Sequence, residues 1–382
     1  MDPRFDTRMM ARALQLARRG RYSAMPNPHV GCVLVQNGDI IGEGFTRPAG
    51  GNHAEIEALE AAGDARGATA YVSLEPCSHQ GKTGPCADAL VAAGVSRVVV
   101  AMRDPNPQVA GQGLEKLRAA GVAVECGLLE TEARQVIPGF VARMERGRGR
   151  VRAKLAMSLD GRTAMDSGES QWITGPAARR DVQRMRAESC AIVTGIGTVE
   201  ADDCSLNVRP AEMGLPAAEA DLACARQPLR VVLDAQLRTP PEARVLAGGA
   251  PTLLCHAPGS PVPAGLLQAR ADLFPLAHGE DGLDLGALMD ELARRQCNEI
   301  LVESGPRVAG AFLRAGLLDE LVVYMAPTLM GSRARPLLDL PLDRMSEQVP
   351  QVIRDARKVG PDWRFTAVPG AWKAECRNPL RG

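Results

Sequence analysis

His53-Ala54-Glu55, followed by Pro76-Cys77 and then Cys86, decides how this chain is read, because together these residues supply one imidazole, one carboxylate and two thiols. A catalytic Zn²⁺ takes three protein ligands and leaves its fourth position to water, whose pKa falls toward about 7. His53, Cys77 and Cys86 can be that ligand set. Glu55 lies two residues beyond the histidine, an awkward place for a fourth ligand but a good one for exchanging protons with bound water.

The order H-x-E, P-C and a second cysteine is the layout of zinc nucleobase deaminases. Here eight residues separate the cysteines instead of two, which implies a longer loop. A purely structural, closed site is the competing reading; it needs a fourth ligand, and His79 is the nearby candidate. The loop between the cysteines carries Ser78, His79, Gln80, Lys82 and Thr83 among glycines, more polar groups than a metal alone requires. Lys82 is a plausible contact for a substrate phosphate, or else an exposed loop lysine.

At 382 residues the chain exceeds what one core usually serves, so two domains are expected, 1–147 and 148–382. Its 45 basic and 45 acidic side chains cancel, and aromatics are only 3%; both argue against nucleic acid or an anionic membrane as partner. The ten cysteines have no disulfide-framework spacing, the N-terminal stretch lacks an apolar signal core, and no run reaches membrane-spanning length. A reducing cytoplasm is the expected location.

In the first domain, Asp6 is positioned to cap a helix running to about Arg18, with Met9, Ala13, Leu16 and Ala17 as its apolar stripe. Asn27, held between Pro26 and Pro28, either aims its amide at a ligand or simply makes a turn. A strand over Cys32–Val35 returns through the hairpin signal Asn37-Gly38. His53 opens a helix, Thr69–Leu74 reads as a buried strand, and Pro85 starts a helix with Cys86 in its first turn, where the dipole favours thiolate. Strands at Arg97–Ala101 and Val122–Glu125 flank a helix at Leu114–Ala119, completing an α/β alternation with a mostly parallel sheet.

Arg146-Gly147-Arg148-Gly149-Arg150 marks the boundary. Strands then follow near Val151–Met157, Cys190–Thr194, Leu229–Leu233, Thr252–Cys255, Glu299–Glu303 and Leu321–Met325, with helices near Pro176–Glu188, Leu283–Arg294 and Arg307–Ala315. The stretch from Pro210 to Gln227 reads as a surface insertion. Gly195-Ile196-Gly197-Thr198 and Ser304-Gly305-Pro306 each follow a strand, where glycines let backbone N–H groups approach phosphate. Neither is the dinucleotide fingerprint. For Trp172 a core position, and for Asp202-Asp203 a surface turn, are the bland alternatives to a place in a ligand site.

Taken together, the motifs resemble the bifunctional deaminase/reductase family of riboflavin biosynthesis. The resemblance rests on Pro26-Asn27-Pro28-His29-Val30-Gly31-Cys32, His53-Ala54-Glu55, Glu75-Pro76-Cys77-Ser78-His79 and Cys86. In the second half it rests on Lys154 through Gly161, Ser170-Gln171-Trp172-Ile173-Thr174, Gly195 through Thr198, Asp202 through Arg209, and Glu303-Ser304-Gly305-Pro306. It implies a cytidine-deaminase-like α/β/α domain followed by a dihydrofolate-reductase-like α/β domain, the latter pairing into a homodimer. It also implies a pyrimidine ribose-phosphate substrate, with Zn²⁺ and NADPH as cofactors. Carried over by position, Asn27, His79 and Lys82 hold the deaminase substrate. Ala156, Trp172, Thr198, Asp202 and the run Gly305, Pro306, Arg307, Val308, Ala309, Gly310 and Ala311 line the cofactor. Ser170, Arg186, Leu206, Arg209 and Glu303 face the second substrate, and Lys154 is the catalytic candidate beside them. Two positions depart from the family pattern: Thr46 stands where a histidine is usual, and Gln80 with Gly84-Pro85 replaces a second histidine and two prolines. A nucleoside or tRNA deaminase fused to a binding module, and a non-catalytic zinc scaffold, are the rival readings.

Overall fold

Asn37 and Gly38, both at positive φ (54° and 92°), close the hairpin between β1 (Gly31–Gln36) and β2 (Asp39–Phe45). The computed structural model describes residues 3–78, 84–107, 109–279 and 282–370. The chain divides into two units, 1–148 and 149–382.

In the first unit, α1 (Pro3–Ala17) precedes β1; α2 (Ala54–Ala62), β3 (Thr69–Val72), α3 (Cys86–Ala92), β4 (Arg97–Val100), α4 (Gln112–Ala119) and β5 (Ala123–Cys126) follow β2. The five strands lie in the order β2-β1-β3-β4-β5. Instead of a mostly parallel sheet, β1 runs antiparallel to both neighbours and only β3, β4 and β5 are parallel. The short hairpin forces the first antiparallel pair. The crossover through α2 then carries the chain past β1 to its other side. Helices at Glu130–Val136 and Pro138–Arg146, which the sequence reading left out, end the unit. Their core is continuous with the sheet through Ala133, Val136, Phe140 and Val141.

Asp6 does not cap α1. It lies within the helix, buried, accepting from Tyr71 Oη at 2.5 Å and from Arg97 at 2.7 and 3.1 Å. These bonds tie α1 to the sheet, and the Arg97 guanidinium holds the Asp6 carboxyl below its usual range.

The second unit is built on a nine-stranded sheet. From one edge its strands are Asp272–Pro275, Thr252–His256, Leu229–Leu233, Ala191–Gly195, Glu299–Val302, Arg150–Ser158 and Glu320–Ala326, all parallel. An antiparallel hairpin, Asp362–Pro369 and Gln351–Val359, completes the other edge. Helices Pro176–Ala187, Leu285–Arg294 and Pro306–Arg314 fall where their apolar periodicity places them. The stretch 210–227 is not wholly a surface insertion: it contains the helix Ala217–Cys224 and buries Met213, Ala220 and Ala223. Trp172, for which a core position was the alternative to lining a ligand, is 70% exposed.

Candidate functional site: a metal cluster and a second polar cluster

His53, Cys77 and Cys86 converge, their ligand atoms all within 4.8 Å of one another. His53 Nδ1 lies 3.3 Å from Cys86 Sγ and 3.7 Å from Cys77 Sγ. The backbone N–H of Cys86, at the start of α3, donates to Cys77 Sγ at 3.3 Å. Hydrogen bonding from Cys86, and then from His53, holds the Cys77 thiol down to about 4, while Cys86, facing that thiolate, is pushed up. The pair thus keeps one proton, the state a divalent cation displaces. Two sulfurs and one imidazole nitrogen at this spacing fit an open Zn²⁺ site.

Glu55 is buried on the first turn of α2, and burial pushes its carboxyl up to about 7, with the Cys77 charge adding to the rise. A carboxyl poised near neutrality can both take and return a proton.

Two close backbone approaches hold these ligands in place. Gly42 and Gly44 share one face of β2, and a Cβ on either would lie 2.2 Å from a carbonyl oxygen of α2, at Ala58 and Ala54 respectively. Only glycine lets α2 settle close enough to bring His53 to the cysteines. On the other side, the buried carboxylate of Glu75 accepts backbone N–H bonds from Asp104, Gly111, Gly113 and Leu114 at 3.1, 3.0, 2.9 and 3.4 Å. A Cβ on Gly113 would meet Pro76 O at 2.0 Å, so the same loop backs the Pro76-Cys77 segment. Glu75 is the residue whose part the sequence reading missed; its place at the end of a buried strand, one residue before Pro76-Cys77, was the available signal.

Asn27 is half-buried in the loop before β1. His79 and Lys82 lie outside the described residues. Thr46, at the family's histidine position, is buried and its hydroxyl accepts from Val30 N–H at 2.9 Å, so it is committed to holding the loop.

In the second unit, Arg186 grips Glu303 through Nε and Nη2 at 2.6 and 2.9 Å and donates from Nη1 to the Asn207 carbonyl at 3.1 Å. The guanidinium holds Glu303 below the usual carboxylate range despite its burial. Burial lowers Lys154, and the negative charges of Glu303 and Asp202 oppose that shift while the Arg186 charge adds to it. Ser170 Oγ donates to Asp202 at 3.2 Å. Arg209 pairs with Glu212 at 3.0 Å and leaves a buried Nε without a partner. Leu206, at φ 48°, points into the hydrophobic core. Cys204, which the sequence reading passed over, feels the same charges, and burial pushes its thiol up to about 12.

Ala156 and Thr198 are half-buried, and Trp172 stacks under the Arg179 guanidinium, 4.7 Å from the ring centroid. Gly305 precedes the helix Pro306–Arg314, and neither Gly305 nor Gly197 has an atom within 4 Å of where a Cβ would stand. A Cβ on Gly195 would lie 2.8 Å from Val308, so the two glycine loops adjoin. Open backbone beside a helix N-terminus fits a phosphate-bearing cofactor such as NADPH. The fit is at 305–308. Arg307 is exposed, Ala309 and Ala311 are buried, and Gly310 backs onto the Asp339 carbonyl at 2.4 Å from its Cβ position.

The family described as "Cytidine and deoxycytidylate deaminase zinc-binding region" matches residues 3–102, and "RibD C-terminal domain" matches 150–362. The chain is 51% identical to the riboflavin biosynthesis protein RibD of Escherichia coli, over 94% of this chain and 97% of that protein. For the RibD of Haemophilus influenzae the figures are 46%, 95% and 97%. Among solved structures, a RibD of Acinetobacter baumannii superposes with a TM-score of 0.89 at 43% identity, covering 97% of this chain and all of that one (100%). A Thermotoga maritima diaminohydroxyphosphoribosylaminopyrimidine deaminase/5-amino-6-(5-phosphoribosylamino)uracil reductase superposes at 0.83 with 31% identity, covering 96% and 99%. The zinc-ligand cluster in one unit, the open glycine loops in the other and these matches across both halves agree: the chain belongs to the RibD family of bifunctional deaminase–reductases of riboflavin biosynthesis.

Proposed function

We propose that residues 1–147 deaminate 2,5-diamino-6-(5-phosphoribosylamino)pyrimidin-4(3H)-one and that residues 148–382 reduce the ribosyl group of the resulting 5-amino-6-(5-phosphoribosylamino)uracil to the ribityl chain. The convergence of His53, Cys77 and Cys86 beside the buried Glu55 carries the reading. Zinc, held by those three ligands, supplies the Lewis acidity that makes water nucleophilic at neutral pH. Glu55 takes a proton on the attacking side and returns it to the departing ammonia. Asn27, His79 and Lys82 hold the substrate.

In the second unit Ala156, Trp172, Thr198, Asp202 and the Gly305–Ala311 run would hold NADPH, which would supply the hydride. Lys154 and Asp202 orient the sugar or relay a proton, with Ser170 fixing Asp202. Arg186 is already paired with Glu303, so it shapes the site, while Arg209, with an uncommitted Nε, is the better phosphate ligand. Leu206 contributes through the core beneath them.

The second unit pairs into a homodimer. Among the described residues the outermost strand, Gln351–Val359, pairs on one side only; it exposes Ile353 at 61%, with Trp363 of its neighbour also exposed. Light scattering of the purified protein tests this. A reducing cytoplasm is the location in this reading, where thiols stay free to bind metal; no described helix is long and apolar enough to cross a membrane.

The decisive experiment incubates the protein with the diaminopyrimidine ribose-phosphate, with and without NADPH, and identifies products by mass. Ammonia release alone is expected first, then a product two hydrogens heavier when NADPH is added. NADPH oxidation with no prior deamination overturns the order of steps.

A further inference from the structure

Between the helix Ile196–Asp202 and the short turn Pro210–Glu212, residues 206–209 belong to no strand or helix, yet Leu206 and Val208 are buried. Buried main-chain groups need partners, and here side chains supply them. Arg186 Nη1 donates to the Asn207 carbonyl at 3.1 Å. Gln227 brackets Val208, accepting from its N–H at 2.8 Å and donating to its carbonyl at 3.0 Å. Gln183 Oε1 accepts from Arg209 N–H at 3.1 Å. Three consecutive residues thus hang on three side chains in place of a sheet ladder. Gln183 and Arg186, three positions apart on the helix Pro176–Ala187, share the face that does this.

Gln183 does more than hold main chain. It is buried, and its Nε2 donates at 3.2 Å to Glu212 Oε2, the same oxygen that pairs with Arg209 Nη2 at 3.0 Å. One amide therefore closes a ring, gripping Arg209 at its backbone and, through Glu212, at the far end of its side chain. An arginine held at both ends has little rotamer freedom left to lose when it meets an anion. Gln227, by contrast, bonds main-chain groups at Val208 and Cys224.

We propose that Gln183 is a positioning residue for the reduction, presetting the Arg209 guanidinium for the phosphate of the ribosylaminouracil substrate. The proposal rests on reading Arg209 as the phosphate ligand.

The test is steady-state reduction by the full chain of 5-amino-6-(5-phosphoribosylamino)uracil and of the same compound without its phosphate. Gln183→Met should raise KM for the phosphorylated substrate roughly tenfold, the worth of one charge-assisted hydrogen bond. Its kcat, its KM for NADPH and its KM for the dephosphorylated substrate should stay near wild type. Gln183→Glu keeps the acceptor for Arg209 N–H and serves if the methionine variant does not fold; its carboxylate, set against Glu212, should give the same selective rise. Added to Arg209→Met, either change should have no further effect on phosphate preference, because both act through one side chain. A rise in KM that is equal for the two substrates, or losses that add in the double variant, would show a merely structural glutamine and overturn the proposal. If Arg209→Met abolishes the preference for phosphate while both Gln183 variants keep it, this proposal alone falls. If Arg209→Met leaves the preference intact, the reading of Arg209 falls and takes the proposal with it.

Discussion

The Cys86 main-chain N–H points at Cys77 Sγ from 3.3 Å, adding to the side-chain hydrogen bonds from Cys86 and His53 that favour a thiolate at Cys77. This separates the roles of ligand and proton carrier. Cys77→Ser should lose bound zinc and ammonia release together. Glu55→Gln should retain stoichiometric zinc yet lose about 10²–10⁴ in deamination rate, the usual worth of a general acid–base. Zinc content by metal analysis, read beside ammonia production, checks the split; a Glu55→Gln enzyme deaminating at near wild-type rate removes Glu55 from the chemistry.

Gly44 predicts an effect at a distance from any ligand. A side chain there must displace the Ala54 carbonyl, 2.2 Å from the Cβ position, and so the His53 end of α2. Gly44→Val should cost about 1–3 kcal/mol of stability, as overpacking does, and should weaken zinc affinity while NADPH oxidation is retained. Competition with a zinc chelator measures the affinity; wild-type affinity in a folded variant contradicts the positioning.

The Arg186–Glu303 pair is buried on both sides, at 13% and 8% side-chain exposure. Arg186→Met strands a carboxylate and should cost about 3–5 kcal/mol, whereas the double change Arg186→Met with Glu303→Leu should recover much of it. Urea unfolding of wild type and the two variants supplies the comparison, and equal loss in the single and double variants would show that the pair is not the source.

His29 makes stability depend on pH. Burial lowers its folded pKa from 6.5 to about 4, so between those values the unfolded chain binds a proton that the folded chain refuses. Its contribution is complete above pH 6.5 and is lost as pH falls toward 4. The urea midpoint should therefore drop more steeply from pH 7 to pH 5 in wild type than in His29→Asn. Parallel curves for the two proteins count against the assignment.

What the sequence made readable was what local physics determines. The turn at Asn37-Gly38, the start of α2 at His53 and the start of α3 at Cys86 all follow from residue-level rules, and with them came the metal cluster. The misreadings share one cause, which is tertiary context. Asp6 reads as a cap until Tyr71 and Arg97, far along the chain, claim its carboxylate. β1 reads as part of a parallel sheet because pairing direction depends on where the crossover lands. The hairpin at residues 351–369 was overlooked because its outer strand is charged and sits at an edge, where no core imposes alternation. Arg186 and Arg209 looked equivalent as contacts to the second substrate; only packing shows that Glu303 already occupies the first.

Glu75 binds its supporting loop entirely through main-chain N–H groups. The loop's shape is thereby fixed while its side chains stay free to drift. At Asp104, Gly111 and Leu114, proline is the change this bonding excludes outright, and at Gly113 any side chain collides with Pro76. A single deletion between Asp104 and Leu114 should therefore disturb the zinc site more than a substitution that keeps these main-chain N–H groups in place.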